Sequence, residues 1–267
     1  MTIWCDNGQL DSFSLGTGTS ATSTKTITVP SMARELVAIR GNVLNTAPAP
    51  AESLSIVFTI HGKDYAGGDL EWLSPIGGSH LGAINGTPYT QEAKWIQCYQ
   101  PVTPNSSLGL IAEPLDGLAG NGSASIDCIW ADIPSGRPRI NRKASRETST
   151  GTSSGPSLTL SGAKRIIGMT IAVSGTTVSA DDGSSGRITL NSGNLITAQT
   201  LSMNYELHAI EATSGQMVAY LKNANLDIEV SPSMQDSVTF SSTLTEEVAL
   251  TNAGQWAFGI AYLPTRQ

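Results

Sequence analysis

An all-β fold, arranged as two antiparallel β-sandwiches in tandem, follows from three features of the sequence. Apolar and polar residues alternate with a period of two in many short runs. Small hydroxyl residues and glycine dominate the composition, with 32 Ser, 28 Thr and 27 Gly in 267 residues. The chain also repeats itself at an offset of 130 residues. Hydroxyl-rich, glycine-punctuated chains form strands and turns. Charged residues make up only 14%, against about 25% in an ordinary globular protein. A coiled coil, a helical bundle and a charge-driven disordered chain are therefore excluded.

The strands can be placed in order. In Thr26–Val43, TITVPSMARELVAIRGNV, the residues Val37, Ile39 and Val43 alternate with Ala38, Arg40 and Asn42. Leu54, Ile56, Phe58 and Ile60 then alternate with Ser55, Val57 and Thr59. Asn45–Leu54 and Gly62–Thr90 read as longer loops, the second with room for a short helical turn. Ile126–Pro134, IDCIWADIP, closes the first half. In the second half Ile167, Met169, Ile171 and Val173 alternate, as do Leu201, Met203, Tyr205 and Leu207, and Leu226, Ile228 and Val230. At the end Trp256, Phe258, Ile260 and Tyr262 face one way, and Ala257, Gly259 and Ala261 the other. Each run has the pattern of a strand with one face in a core. Turns are marked by Asn121-Gly122, Asp182-Gly183, Ser192-Gly193, Ser214-Gly215 and Asn252-Ala253-Gly254, because Gly and Asn accept positive φ cheaply.

The repeat links the two halves. Ile27 and Val29 correspond to Leu158 and Leu160 at an offset of 131, and one residue then drops out. Ala33, Arg34, Leu36, Val37 and Val43 correspond to Ala163, Lys164, Ile166, Ile167 and Val173 at 130. The closing runs keep that offset: Ile126 falls on Trp256, Cys128 on Phe258, Trp130 on Ile260 and Pro134 on Pro264. Such self-similarity signals an internal duplication. Between the halves Ser135–Pro156, SGRPRINRKASRETSTGTSSGP, has almost no apolar content. The expected organisation is a first sandwich at 1–135, a polar basic linker at 136–156 that few core contacts cross, and a second sandwich at 157–267.

Net charge is −7, which argues against a chain whose task is to neutralise phosphate or read a nucleic-acid sequence. One basic cluster stands out. Arg137, Arg139, Arg142, Lys143 and Arg146 supply five of the 15 basic residues. It reads either as a solvated linker or as a contact with phosphate or with an acidic neighbouring subunit. The opening Met1–Asp6 has neither a basic nor an apolar signal region, and no run of 18 apolar residues occurs, so neither a secretory signal nor a membrane span is expected. Cys98 and Cys128 lie in strand-like runs of one half, as a bridge or as two buried thiols.

Motifs for chemistry are sparse. Neither a nucleophile elbow, nor a phosphate loop, nor a dinucleotide fingerprint occurs. His61, His80 and His208 are not at metal-ligand spacing, and no cofactor is expected. Asp181-Asp182-Gly183 lacks the alternating acids of a calcium loop and reads as a hairpin tip. Asn85, Asn105 and Asn121 open glycosylation triplets, a weak signal in a chain so rich in Ser and Thr. The densest polar–aromatic segment is His61–Trp72, HGKDYAGGDLEW, an exposed loop or the acids and aromatic platform of a sugar site. Asp64, Asp69 and Glu71 would be its candidate acid and base.

Two matched opening runs, Thr26–Val43 and Ser157–Val173, and two matched closing runs, Ile126–Pro134 and Trp256–Pro264, give a chain that resembles the double jelly-roll major capsid proteins of tailless icosahedral double-stranded DNA viruses of bacteria and archaea. The resemblance is architectural and covers nearly the whole chain. It implies two tandem antiparallel β-sandwiches of jelly-roll type in a non-enzymatic subunit. It implies assembly as homotrimers into an icosahedral shell with other capsid proteins, made in the host cytoplasm and located in the virion. Under it, Arg137, Arg139, Arg142, Lys143 and Arg146 would contact neighbouring subunits or capsomers. The competing reading is a tandem carbohydrate-binding or adhesion module, a viral spike or lectin-like protein, with Tyr65, Trp72, Tyr89 and Trp95 as stacking platforms.

Overall fold

The computed structural model describes residues 1–6, 13–15, 23–45, 55–61, 70–77, 83–84, 87–88, 94–114, 122–146, 149–150, 155–176, 184–192, 200–207, 217–248 and 255–265. Within them the regular structure is twenty strands and one 3-10 turn, Pro232–Met234. The first half contains β1 (Ile3–Asp6), β2 (Phe13–Leu15), β3 (Ser23–Thr28), β4 (Glu35–Asn45), β5 (Ser55–His61), β6 (Glu71–Gly77), β7 (Ala83–Ile84), β8 (Thr87–Pro88), β9 (Ile96–Pro101), β10 (Ser107–Pro114) and β11 (Gly122–Ala131). The second contains β12 (Asn141–Ala144), β13 (Ser149–Thr150), β14 (Leu158–Ser161), β15 (Ala163–Thr176), β16 (Ser184–Asn191), β17 (Leu201–Leu207), β18 (Met217–Glu229), β19 (Ser237–Val248) and β20 (Gln255–Pro264).

Each half is a sandwich of two four-stranded sheets. In the first, β1-β11-β4-β9 faces β3-β10-β5-β6, and a short parallel pairing of Val43 and Leu44 with Ile76 and Gly77 joins the sheets at one corner. In the second, β12-β20-β15-β18 faces β14-β19-β16-β17. With the β7–β8 hairpin and the short β2 and β13 set aside, the pairing is the same in both. The first strand pairs with the eighth, the second with the seventh, the third with the sixth and the fourth with the fifth. That winding is a jelly roll. Even β2 and β13 correspond, each lying between the first two strands in sequence and pairing with the eighth.

The duplication extends to an irregularity. Against both neighbours of β4 the pairing steps from Leu36 to Ala38, leaving Val37 as a bulge. Against both neighbours of β15 it steps from Ile166 to Gly168, leaving Ile167 as a bulge. Val37 and Ile167 are 130 residues apart, the offset of the repeat. A bulge reverses the inside–outside alternation. The core residues here are therefore Leu36 and Ile166, while Val37 and Ile167, the expected inward residues, are only half-buried. Register differs between the halves by two residues: Cys128 lies opposite Ile39, whose counterpart is Met169, yet Phe258 lies opposite Ile171. An even shift keeps every side chain on its own face.

Two separate cores result. One is built around Phe58, Trp130, Leu36 and Ile39, the other around Trp256, Phe258, Phe240 and Tyr262. In each, a glycine lets an aromatic ring approach the backbone. A Cβ on Gly41 would strike Phe58, and one on Gly155 would strike Trp256.

Two expectations need correction. Gly62–Thr90 holds strands β6, β7 and β8 where a loop with a helical turn was expected. From Leu70 to Ser74 every residue is buried, so no alternation marked the strand. The segment 136–156 is crossed by core contacts, because β12 and β13 pair with β20 and are the opening strands of the second jelly roll. Asn141, Ala144 and Ser145 are buried there although the composition is polar.

Candidate assembly surfaces

The two sandwiches meet through small side chains. Val57 of β5 and Leu73 of β6 pack against Ala144 of β12, Ala172 of β15 and Ala257 of β20 in a cluster distinct from the two cores. Alternation puts Val57 and Leu73 on the outer face of β3-β10-β5-β6, because Phe58 and Trp72 point into the first core. It likewise puts Ala172 and Ala257 on the outer face of β12-β20-β15-β18. The row Ala257, Gly259 and Ala261, opposite the large residues of β20, is thus a second buried face. With no side chain beyond Cβ, it lets another sheet approach closely, and Ala257 packs there against Val57 and Leu73.

A polar rim surrounds this contact. Arg146 donates to Glu71 Oε1 at 2.8 Å and to Thr59 Oγ1 at 3.2 Å, and pairs with Glu113 at 3.4 Å. Glu71 is buried, so a neutralising partner matters there. The Ile140 amide donates to the Cys98 carbonyl at 2.9 Å, and Gln100 Nε2 donates to the Ile140 carbonyl at 2.9 Å. Arg137 lies over the Tyr99 ring, 5.2 Å from its centroid, and donates to its hydroxyl at 2.7 Å. Tyr99 itself has φ 47, held by these contacts in a left-handed conformation rare for an aromatic residue. Arg142 donates to the Gln97 carbonyl at 3.4 Å. Arg139 is half-buried, and Lys143 lies opposite Ile260 in the β12–β20 ladder. Arg137, Arg142 and Arg146 therefore bind the first sandwich from the start of the second.

The candidate sugar platform has two described members. Trp72 is 5% exposed and stacked on Phe58, with ring centroids 5.0 Å apart. Trp95 is half-buried beneath the Arg40 guanidinium, 4.7 Å from its ring centroid, and Arg40 in turn pairs with Asp127. Tyr65 and Tyr89 lie outside the described residues, as do Asp64, Asp69, His80, His208, Asn85, Asn121 and Asp181–Gly183. Glu71 belongs to the junction. Asn105 sits in the turn before β10 with φ 59, a conformation Asn tolerates. Neither Cys98 nor Cys128 is in a disulfide, and both are buried. The Cys98 thiol donates to the Leu36 carbonyl at 3.3 Å, and burial pushes its pKa up to about 12. Among the described residues no group of three or more His, Cys, Asp or Glu could hold a metal, and no helix is long and apolar enough to cross a membrane.

Two sheets have outer faces that the junction does not use. On β1-β11-β4-β9, Ile3 is 56% exposed, Cys5 is exposed, and Ile133, just beyond β11, is 54% exposed. On β14-β19-β16-β17 the outer face is mostly hydroxyl and amide: Thr159, Ser202, Asn204, Thr239, Ser241 and Thr245 are all exposed, and the exposed Arg187 donates to Asn204 Oδ1 at 3.0 Å. Thr159 and Thr239 face each other across the ladder with their hydroxyls 2.9 Å apart.

No family model matches the chain. No curated protein matches it in sequence. Among solved structures it is similar to a chain of Sulfolobus turreted icosahedral virus, at 10% identity over 98% of this chain and 91% of that one, with a TM-score of 0.47. It is similar to a chain of broad bean stain virus at 10% identity over 97% and 94%, with a TM-score of 0.32. A third similar structure is the N-terminal tandem CBM22 domain of Paenibacillus barcinonensis Xyn10C, at 15% identity over 98% and 90%, with a TM-score of 0.24. These likenesses concern the path of the backbone, and no residue role is carried over from them.

Proposed function

We propose that the chain is a capsid subunit that assembles head to tail into rings of three, with a structural role and no turnover, in the virion. One observation carries the reading. Inside the chain, the outer face of a second-strand sheet (β3-β10-β5-β6) is docked on the outer face of a first-strand sheet (β12-β20-β15-β18). The duplication leaves one further sheet of each kind, β14-β19-β16-β17 and β1-β11-β4-β9. Within one chain these lie on opposite sandwiches and face outward. In a second copy they supply the same pairing again, so the contact inside the chain repeats between chains. That is a heterologous interface, which gives a closed ring when its rotation closes. Three chains and six sandwiches is the closure that the double jelly-roll resemblance implies.

The chemistry of the two faces supports this. Exposed large apolar residues cost little when a partner covers them, and Ile3 and Ile133 lie on the face assigned to the next copy. The opposite face, mostly Thr, Ser and Asn with Arg187 held on Asn204, brings few full charges that would have to be desolvated. The domain division that fits is a first domain at 1–135 and a second that takes in β12, with only a few residues between. In this arrangement Arg137, Arg142 and Arg146 act in assembly by fixing the angle between the sandwiches. Size-exclusion chromatography with light scattering tests the reading. A trimer or a larger lattice-forming species is expected for the native chain, and Ile3→Asp and Thr239→Asp should each give a folded monomer. A native chain that stays monomeric at high concentration contradicts it.

A further inference from the structure

A cleft of about 310 Å³ opens where the start of β9 meets the outer face of β15 and β18, lined by Lys94, Trp95, Gln97, Arg142, Asn223 and Asn225 among others. Small-molecule sites begin near this size and favour domain junctions. Its described lining holds two cations and no carboxylate, in a chain of net charge −7. Arg142 is the unusual member. It is half-buried, its Nε and Nη2 reach the Gln97 carbonyl only at 3.4 Å, and no carboxylate among the described residues pairs with it. Burial pushes its pKa below the ordinary arginine value, with the neighbouring Cys98 as a lesser influence. Cys98 is an uncharged thiol at neutral pH and supplies no counter-ion. Arg40 and Arg146, by contrast, each have a carboxylate within 3 Å.

A guanidinium partly removed from water without a counter-charge carries a cost, and groups kept in that condition cluster where ligands bind. Its planar fork matches carboxylate and phosphate oxygens. Asn223 accepts from the Thr170 hydroxyl through Oδ1, which leaves its amide hydrogens for another acceptor.

We infer that this cleft binds a small oxyanion, a carboxylate or phosphate group, held by the Arg142 fork with the Lys94 ammonium and the Asn223 amide beside it. The site needs only one copy of the chain, so it stands or falls independently of the capsid reading. The test is isothermal titration of the full chain with inorganic phosphate and, separately, with acetate, at an ionic strength held constant with chloride. Saturable binding in at least one arm is expected, and the tighter arm identifies the group. Arg142→Gln should weaken it about tenfold or more, as expected for losing a hydrogen bond to a charged group. Lys94→Gln, at an exposed position, should weaken it several-fold with the fold intact. Absence of binding above the chloride control, or an unchanged isotherm in Arg142→Gln, overturns the inference. If Arg142→Gln does not fold, an unchanged isotherm in Lys94→Gln does so instead.

Discussion

The sheets β1-β11-β4-β9 and β12-β20-β15-β18 have matching strand order, a bulge at matching positions and core-facing residues at matching positions, yet contrasting outer faces. Where it lies against the first sandwich, the second presents Ala144, Ala172 and Ala257, all buried. The first presents Ile3, Cys5, Ile129, Val37 and the Arg40–Asp127 pair, and its edge ends in exposed Ile133. Inward residues answer to the core of one sandwich, so duplication preserves their character. Outward residues answer to what lies against them. A face sealed inside one chain becomes small and apolar, while a face that solvent reaches keeps polar and larger residues.

This contrast can be broken most forcefully at Ala257. Replacing it by Glu puts an uncompensated charge between Val57 and Leu73 and should cost about 3–5 kcal/mol in urea-induced unfolding. A like change on the outer face of the other sheet, Ile3→Glu at a 56% exposed position, should leave subunit stability within about 0.5 kcal/mol and abolish the oligomer. Equal losses of stability at both positions would erase the distinction. Phe240→Ala, in the second core, should cost about 3–5 kcal/mol by the same measurement, with no separate effect on oligomeric state. Arg146→Met should cost about 1–3 kcal/mol, because it strands the buried Glu71 carboxylate. Adding Glu71→Gln should recover part of that loss, and strict additivity in the double-mutant cycle would show that the two are not coupled.

The smallest effect concerns Cys98. Its folded pKa of about 12 lies above the thiol's ordinary value of 9.0. Between those values the folded chain holds a proton that the unfolded chain has released. The thiol's contribution is therefore fully present below pH 9 and lost as pH rises towards 12. The native chain should lose stability over that window more steeply than Cys98→Ala, and parallel curves would contradict the assignment.

The duplication and the inward residues of its matched strands were legible in the sequence because burial on one face leaves a period of two. Alternation failed at Val37 and Ile167, where a bulge adds a residue without changing composition. It failed across Leu70–Ser74, where both faces are covered. It failed most at Asn141–Ala144, NRKA, whose strand character comes from pairing with β20 and not from its own side chains. The small face of β20 was visible as Ala257, Gly259 and Ala261, but only the packed chain reveals that a second sheet lies on it. The ion pairs of Arg146 join residues up to 75 positions apart, beyond the reach of any local pattern.

The proposed repetition of the sheet-on-sheet contact between copies is best tested by electron cryomicroscopy of the protein at high concentration. The account predicts a three-chain ring in which β14-β19-β16-β17 of each copy lies on β1-β11-β4-β9 of the next, with Ile3 and Thr239 at the contact. Isolated monomers, or pairs related by a two-fold axis that bury one sheet against its own copy, would contradict it.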